Sequence, residues 1–518
     1  MLETFDFEDL GLFDITRLII TTVVTLYSLN VIAQHIKLRI HFANQNVRDF
    51  EGVPKIPFVG HGPFIPTEPS ELYKLLEKYV PSHREKYPKE HSFVIWLTPT
   101  YVLHWNYTPT SIKGVMKNKA FNPKGQEYTY FNRWLGLGLL TSSGETWKNR
   151  RRMITPAFHF EVLEGFEQSM NENCKIMVSK LYEECQKSGG SAEVDMFSYI
   201  TLCALDIICD AAMGTNVAAQ KNPSHPYVDA IYFTGNRILQ RSLKAHLWPE
   251  IGFRLFGQGG QVNQKIDLMR EFTKSVIDSR IKARREGKKS FIQGSEKLAF
   301  LDMLLENYDN GEIDFKGVRD EVDTFMFEGH DTTSSAIAFF VWNLGRYQKY
   351  QDQAIQEVEE VFSYSDGENE SFQETLDSFN VQYDDLAKLE KMDLYSKETL
   401  RMFPSVPFVT RDRYRGVSTL CSIMNVNNSK AEWGSDALEF RPERMLENFD
   451  SFAWLPFSAG ARNCVGQRFA MMEIKYQMSY LLKFFKIESL QTKDELVIEP
   501  GIITRPGAGI KVRITPRS

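Results

Sequence analysis

Residues 457–466 read Phe457-Ser-Ala-Gly460-Ala-Arg462-Asn-Cys464-Val-Gly466, and a helical pattern begins directly after them at Gln467. Gly460 and Gly466 permit backbone turns that side chains with a Cβ resist. A cysteine at the start of a helix meets the positive end of the helix dipole and free backbone N–H groups, which favour the thiolate. Arg462 adds a cation two residues away, and Phe457 is placed to shield the sulfur from water. Such a loop suits a soft or borderline metal with an open position opposite the sulfur. The plainer alternative is a buried, inert cysteine in a glycine-rich turn.

Working upstream, the pattern over 318–347 predicts a long helix carrying Glu328-Gly329-His330-Asp331-Thr332-Thr333. Spacings of three and four put Phe325, Glu328, Thr332 and Ala336 on one face, with Asp331 one step round. An acid beside an alcohol is apt for proton delivery, and Gly329 is expected to leave room for a ligand. Glu398 and Arg401 lie one turn apart and suit a bidentate pair. Trp147 and Arg151 also share one helix face. The plain readings are surface acids, a packed threonine and exposed arginines.

The full FxxGxRxCxG pattern resembles the haem-binding signature of the cytochromes P-450. The resemblance implies a mainly α fold with small β-sheets, in which haem b (iron protoporphyrin IX) lies between the distal helix 318–347 and the proximal cysteine loop. It implies Cys464 as the iron ligand, with Phe457 and Gly466 shaping its loop and the thiolate favouring O–O cleavage. Asp331 and Thr332 are then the proton-relaying catalytic pair. Residues 321–332 resemble P-450 family 4, the fatty-acid ω-hydroxylase group, where the matching glutamate can esterify a haem methyl; Glu328 takes that place here. Trp147, Arg151, Arg411 and Arg462 become partners of the haem propionates. Glu398, Arg401 and Arg444 become a structural cluster behind the haem loop. The implied reaction inserts one atom of O2 into a C–H bond of a lipophilic substrate. A fatty acid is the first expectation, a steroid or xenobiotic the alternative.

One segment departs from that family. Between Arg411 and Arg444, residues 412–432 are about a dozen residues short. The expected hairpin with its Pro-x-Gly turn is missing, and Met445 replaces an aromatic. An inactive haem-binding relic is therefore a further alternative.

The rest of the chain fits a membrane-attached enzyme. It has 518 residues with 42% hydrophobic and 13% aromatic content, enough for a large core. A net charge of −6 offers no basic field for nucleic acid. The six cysteines include no CxxC pair and predict free thiols. Helical patterns at 160–187, 262–285, 386–402 and 467–485 outnumber strand-like runs at 92–97, 101–104 and 510–514. Residues 363–370 read as a polar surface insertion. Neither Gly136-x-Gly138 nor Gly257-x-Gly259 completes a dinucleotide motif, so electrons must come from a separate NADPH-dependent reductase. Lys148, Arg150 and Arg152 are candidates for docking it. The apolar run 18–33 follows acids at Glu3, Asp6, Glu8, Asp9 and Asp14 and precedes Lys37 and Arg39. This predicts an uncleaved anchor in the endoplasmic reticulum membrane with the body in the cytosol. The expected divisions are a luminal segment 1–14, a transmembrane anchor 15–34, a proline-containing connector 35–60 and a catalytic domain 61–518.

Overall fold

The helix Phe315–Arg346 is buried along most of its length and organises the molecule around it. Asp314 caps its start by accepting a hydrogen bond from the Gly317 amide at 2.7 Å. Helices Met196–Ile207, Gly259–Arg285, Glu390–Met402 and Gln467–Phe484 pack against it. The structure, a computed structural model, describes residues 12–287, 298–362 and 371–517. The predicted insertion 363–370 and the acids Glu3, Asp6, Glu8 and Asp9 lie outside the described residues.

The expected mainly α architecture is present. Four of the helices predicted inside the body match within a few residues. The fifth, 160–187, splits into Phe160–Glu164 and Glu167–Lys187 at Gly165.

Among the described residues ten short strands form three sheets. They are β1 (Arg48–Asp49), β2 (Ser92–Thr98), β3 (Tyr101–Asn106), β4 (Ala192–Asp195), β5 (Phe408–Tyr414), β6 (Val417–Ser422), β7 (Phe485–Ser489), β8 (Ile498–Pro500), β9 (Thr504–Pro506) and β10 (Lys511–Pro516). The largest sheet has the order β1-β2-β3-β6-β5. Its inner face stacks Phe93 between Phe50 and Trp105.

This sheet corrects the expectation that the short 412–432 segment lacks a hairpin. Strands β5 and β6 pair antiparallel, with Phe408 opposite Ser422 and Arg411 opposite Thr419. The turn is Arg415-Gly416. Gly416 has φ +80°, and a Cβ there would sit 2.5 Å from the Thr100 carbonyl oxygen, so no Pro-x-Gly sequence is needed. The segment closes the sheet and then forms the short helix Ile423–Asn427.

The anchor boundary also shifts. One helix runs from Leu12 to Asn44, so the first ten positions assigned to the connector are helical. The part from Ile15 is long and apolar enough to cross a membrane. Its C-terminal end docks on the large sheet. Leu38 and Phe42 are buried with Val94, Trp96 and Val102, and the Arg39 guanidinium lies 4.2 Å over the Trp96 ring while bonding Asp49 at 2.8 Å.

The body is fastened by a buried ionic cluster. Glu398 accepts from Arg401 Nε at 2.7 Å and Nη2 at 2.9 Å, and from Arg444 Nε at 2.8 Å. Further donors reach backbone, Arg401 to Asn427 O at 2.7 Å and Arg444 to Trp433 O at 2.9 Å, and Arg444 Nη2 also pairs with the Asp436 carboxylate at 3.2 Å. Asn427 Oδ1 then accepts the Leu455 amide at 3.1 Å, which carries the tie toward the cysteine loop.

Removing one member of such a cluster strands a buried charge. Arg444→Ala is expected to lower unfolding free energy by about 3–5 kcal/mol. Arg513→Ala, which breaks an exposed pair with Glu193, should cost less than about 1 kcal/mol. Denaturant titration of both variants compares them directly.

Candidate active site

The cysteine loop forms because its backbone has somewhere to go. The Cys464 amide donates to Phe457 O at 3.0 Å, closing the turn. Gly460 has φ +73°, and a Cβ there would lie 2.4 Å from Met116 O. Helix Gln467–Phe484 starts two residues after the sulfur-bearing Cys464-Val465 pair, at the Gly466 cap. Cys464 faces a deep cavity whose opposite wall is the distal helix. The other five cysteines are buried and free.

Cys464 is the one exposed cysteine of the six, its sulfur opening on that cavity, and opposing influences act on it. Desolvation pushes the Cys464 thiol up to about 12, and Glu328 across the cavity adds to the rise. The Gly466 amide and Arg151 pull the other way and lose. Arg462 does not reach the sulfur. It donates to Ser142 O at 2.8 Å and Asn122 O at 3.2 Å and lies 4.1 Å over the Trp147 ring. Arg151 holds the loop instead, through Asn463 O at 2.7 Å and Asn463 Oδ1 at 2.9 Å. A sulfur so placed ionises when a cation binds it.

On the distal wall Phe325, Glu328, Thr332 and Ala336 all line the cavity, as their spacing predicted. Burial draws the Glu328 carboxyl up to about 7, with Lys124 opposing the rise. Thr332 Oγ1 donates to Glu328 O at 2.7 Å, and Ser405 Oγ donates to Thr332 O at 2.8 Å.

Two expectations here are corrected. Asp331 does not face the cavity; its carboxylate is paired with the Arg505 guanidinium of β9, one contact being Arg505 Nε at 3.1 Å. Helical rotation carries residue 331 about 100° from residue 332, so the acid and the alcohol point to different neighbours. The gap at Gly329 is filled by Ile208, whose side chain would be 2.7 Å from an added Cβ.

Cations crowd the cavity between these two walls. Arg411 of β5 is buried and gives one donor to Thr410 O at 2.9 Å. Arg462 Nη1 is buried without a hydrogen-bond partner. Sequence reading missed Lys124, which lines the same space and lies 4.3 Å over the Tyr128 ring. It arrives there through a backbone bridge between Lys124 and Arg411, 287 positions apart, which no local pattern signals. Burial, then repulsion from Arg411 and Arg462, pulls the Lys124 ammonium well below its usual range. Burial and the neighbouring Arg411 bring Arg462 down to about 10. A dianionic group would relieve that mutual repulsion and give the orphaned Arg462 N–H an acceptor. The donor set therefore fits haem, with a sulfur for iron on one wall and cations for two propionates at the rim.

The proposed basic docking face is smaller than the sequence suggested. Arg150 turns inward, its guanidinium 3.6 Å from the buried Glu321, leaving Lys148 and Arg152 on the surface.

A family model described as "Cytochrome P450" matches residues 51–513. The human protein "Cytochrome P450 4V2" is 35% identical over 492 residues, covering 89% of this chain and 88% of its own length. In Drosophila melanogaster, "Cytochrome P450 4c3" is 32% identical over 451 residues, 79% of each chain. "Cytochrome P450 4d1" from the same fly is 32% identical over 491 residues, 89% of this chain and 92% of its own.

The placement of Cys464 makes a spectroscopic prediction. Haem-loaded protein should show the red-shifted Soret band of thiolate-ligated iron in a carbon monoxide difference spectrum. Cys464→Ala should lose that band; an unchanged spectrum would remove the sulfur from the site.

Proposed function

The chain belongs to the cytochrome P450 family and is a haem-thiolate monooxygenase, and on that premise we propose that it hydroxylates the terminal carbon of fatty acids. The observation that carries this reading is the composition of the cavity lining. The cavity that Cys464 and Thr332 line is also walled by Val53, Ile65, Leu72, Leu76, Leu239 and Leu243, and these six aliphatic residues are its apolar arm. An unbranched hydrocarbon chain gains burial against such a wall. Relatives named as members of P450 family 4 support the same substrate class.

When bound, haem supplies the redox chemistry that activates dioxygen. Cys464 would ligate the iron. Lys124, Arg411, Arg462 and Trp147 would hold the propionate side, and Arg151 would fix the loop through Asn463. Thr332 Oγ1 is the hydroxyl placed to hold and pass a proton at the distal wall. Asp331 can serve Thr332 as acid only when its carboxylate leaves Arg505, so the ion pair sets the readiness of that step. Glu328 faces the cavity and is the residue we assign to an ester with a haem methyl. Burial raises that carboxyl to about 7 against the pull of Lys124.

We assign the anchor helix to the endoplasmic reticulum membrane with the body on the cytosolic side. The acids before the apolar span and Lys37 after it support that orientation. Electrons would come from an NADPH-dependent reductase, with Lys148 and Arg152 as contributors to its landing surface.

Two measurements test this reading. With reductase and NADPH, a panel of fatty acids, steroids and xenobiotics should yield product mainly from the fatty acids, oxidised at the terminal carbon. Turnover confined to steroids would overturn the substrate class. Acid–acetone extraction should leave haem on the wild-type polypeptide and release it from Glu328→Ala. Free release from both would rule out the ester.

A further inference from the structure

A charged fastening adjoins the apolar wall of the cavity. Helix Pro226–Leu243 contributes Leu239 and Leu243 to the cavity wall, and Lys244 follows it directly. The Lys244 side chain crosses to the turn after the proline connector. Its ammonium donates to Gly62 O at 3.1 Å, Pro63 O at 3.3 Å and Ile65 O at 2.8 Å. Ile65 is itself part of the cavity wall. One side chain thus closes the gap between two segments about 180 residues apart, at the border of the substrate arm.

The chemistry of that fastening is incomplete. All three ammonium hydrogens are used, yet every acceptor is a neutral carbonyl. No carboxylate pairs with Lys244 among the described residues; half-burial alone acts on it, drawing the ammonium below its usual range. A cation held by dipoles keeps its net charge and gains by exchanging a carbonyl for an anion. A carboxylate beside Thr332 would give up water for a wall whose polar groups there are the Glu328 carboxyl and the Thr332 hydroxyl, neither of them a cation.

We infer that Lys244 is the receptor for the substrate's carboxylate head, exchanging a carbonyl contact of its latch for the acid and so fixing the chain with its methyl end toward Cys464. This inference rests on the fatty-acid reading above and adds the residue that decides orientation. Lys244 acts as a specificity determinant at the mouth, remote from the bond that reacts.

The test compares dodecanoic acid with methyl dodecanoate, equal in chain length but differing in charge. Dissociation constants for the haem-loaded full chain are measured by equilibrium dialysis in detergent. The wild type should prefer the acid by about tenfold or more, the scale of one charge-assisted contact. In Lys244→Met the ratio of the two constants should fall toward one, and in Lys244→Arg most of the preference should survive. A Lys244→Met ratio equal to wild type overturns the receptor role while leaving the fatty-acid reading intact. So does loss of the preference in Lys244→Arg as complete as in Lys244→Met, which marks a latch that only holds structure. A wild type without preference for the acid overturns the inference and undermines the fatty-acid reading with it.

Discussion

Like charge gathered around one cavity is the constraint on which this structure turns. Lys124, Arg411 and Arg462 converge on one space, and the acid acting on Lys124 there is Glu328, itself drawn toward neutrality by burial. Across from them the Cys464 thiol opens on the same space, where desolvation and Glu328 raise it. Each feature is unfavourable alone, because a buried ion without a partner is costly. Together they describe the complement of a missing group. That group must bring a metal cation to the sulfur and two anions to the basic rim. The protein leaves its own site unsatisfied in both senses, and binding haem resolves both at once. Haem binding should then contribute to the stability of the loop that holds it.

A site this strained needs a rigid frame, and the frame is built far from it in sequence. Glu398 takes both Arg401 and Arg444, which also reach the carbonyls of Asn427 and Trp433, Arg444 pairing with Asp436 besides. Asn427 in turn holds the Leu455 amide, and Trp454 Nε1 donates to Lys397 O at 3.1 Å. The stretch before the cysteine loop is thereby pinned to the Glu390–Met402 helix, whose Asn343–Thr399 contact at 3.1 Å joins it to the distal helix. The two walls of the cavity are braced against each other through buried polar bonds. Apolar packing alone would fix their separation less sharply.

What could be read from the sequence was what local spacing determines. The glycines and cysteine of 457–466, the cavity face of the distal helix and the Glu398–Arg401 turn all depend on residues within a few positions of each other. The missed features join distant segments: Lys124 beside Arg411, Asp331 turned to Arg505, Arg150 turned to Glu321, Lys244 tied to Gly62 and Ile65. The hairpin at 408–422 was missed for a different reason. A turn was sought by one sequence pattern, whereas the backbone requires only a residue that accepts positive φ. Gly416 supplies that.

The charge layout also bears on where oxidation falls under the proposed reading. A fatty acid has one anionic end and one apolar end, so it has two ways to enter the arm. The cationic rim at the haem end is the competing attraction for the head group. With haem bound those cations would be taken by the two propionates, leaving the Glu328 carboxyl, which burial draws toward neutrality, as the ionisable group near the distal wall. A carboxylate placed there would lose its water and meet no cation. At the outer end it keeps partial hydration and meets an ammonium whose only partners are carbonyl dipoles. Orientation then follows from the difference between the two ends of the arm, with no contact along the hydrocarbon chain needed to specify it. Position along the chain is set by how far the arm extends between Lys244 and Thr332, which makes reach, and not local recognition of the carbon attacked, the determinant of regiochemistry.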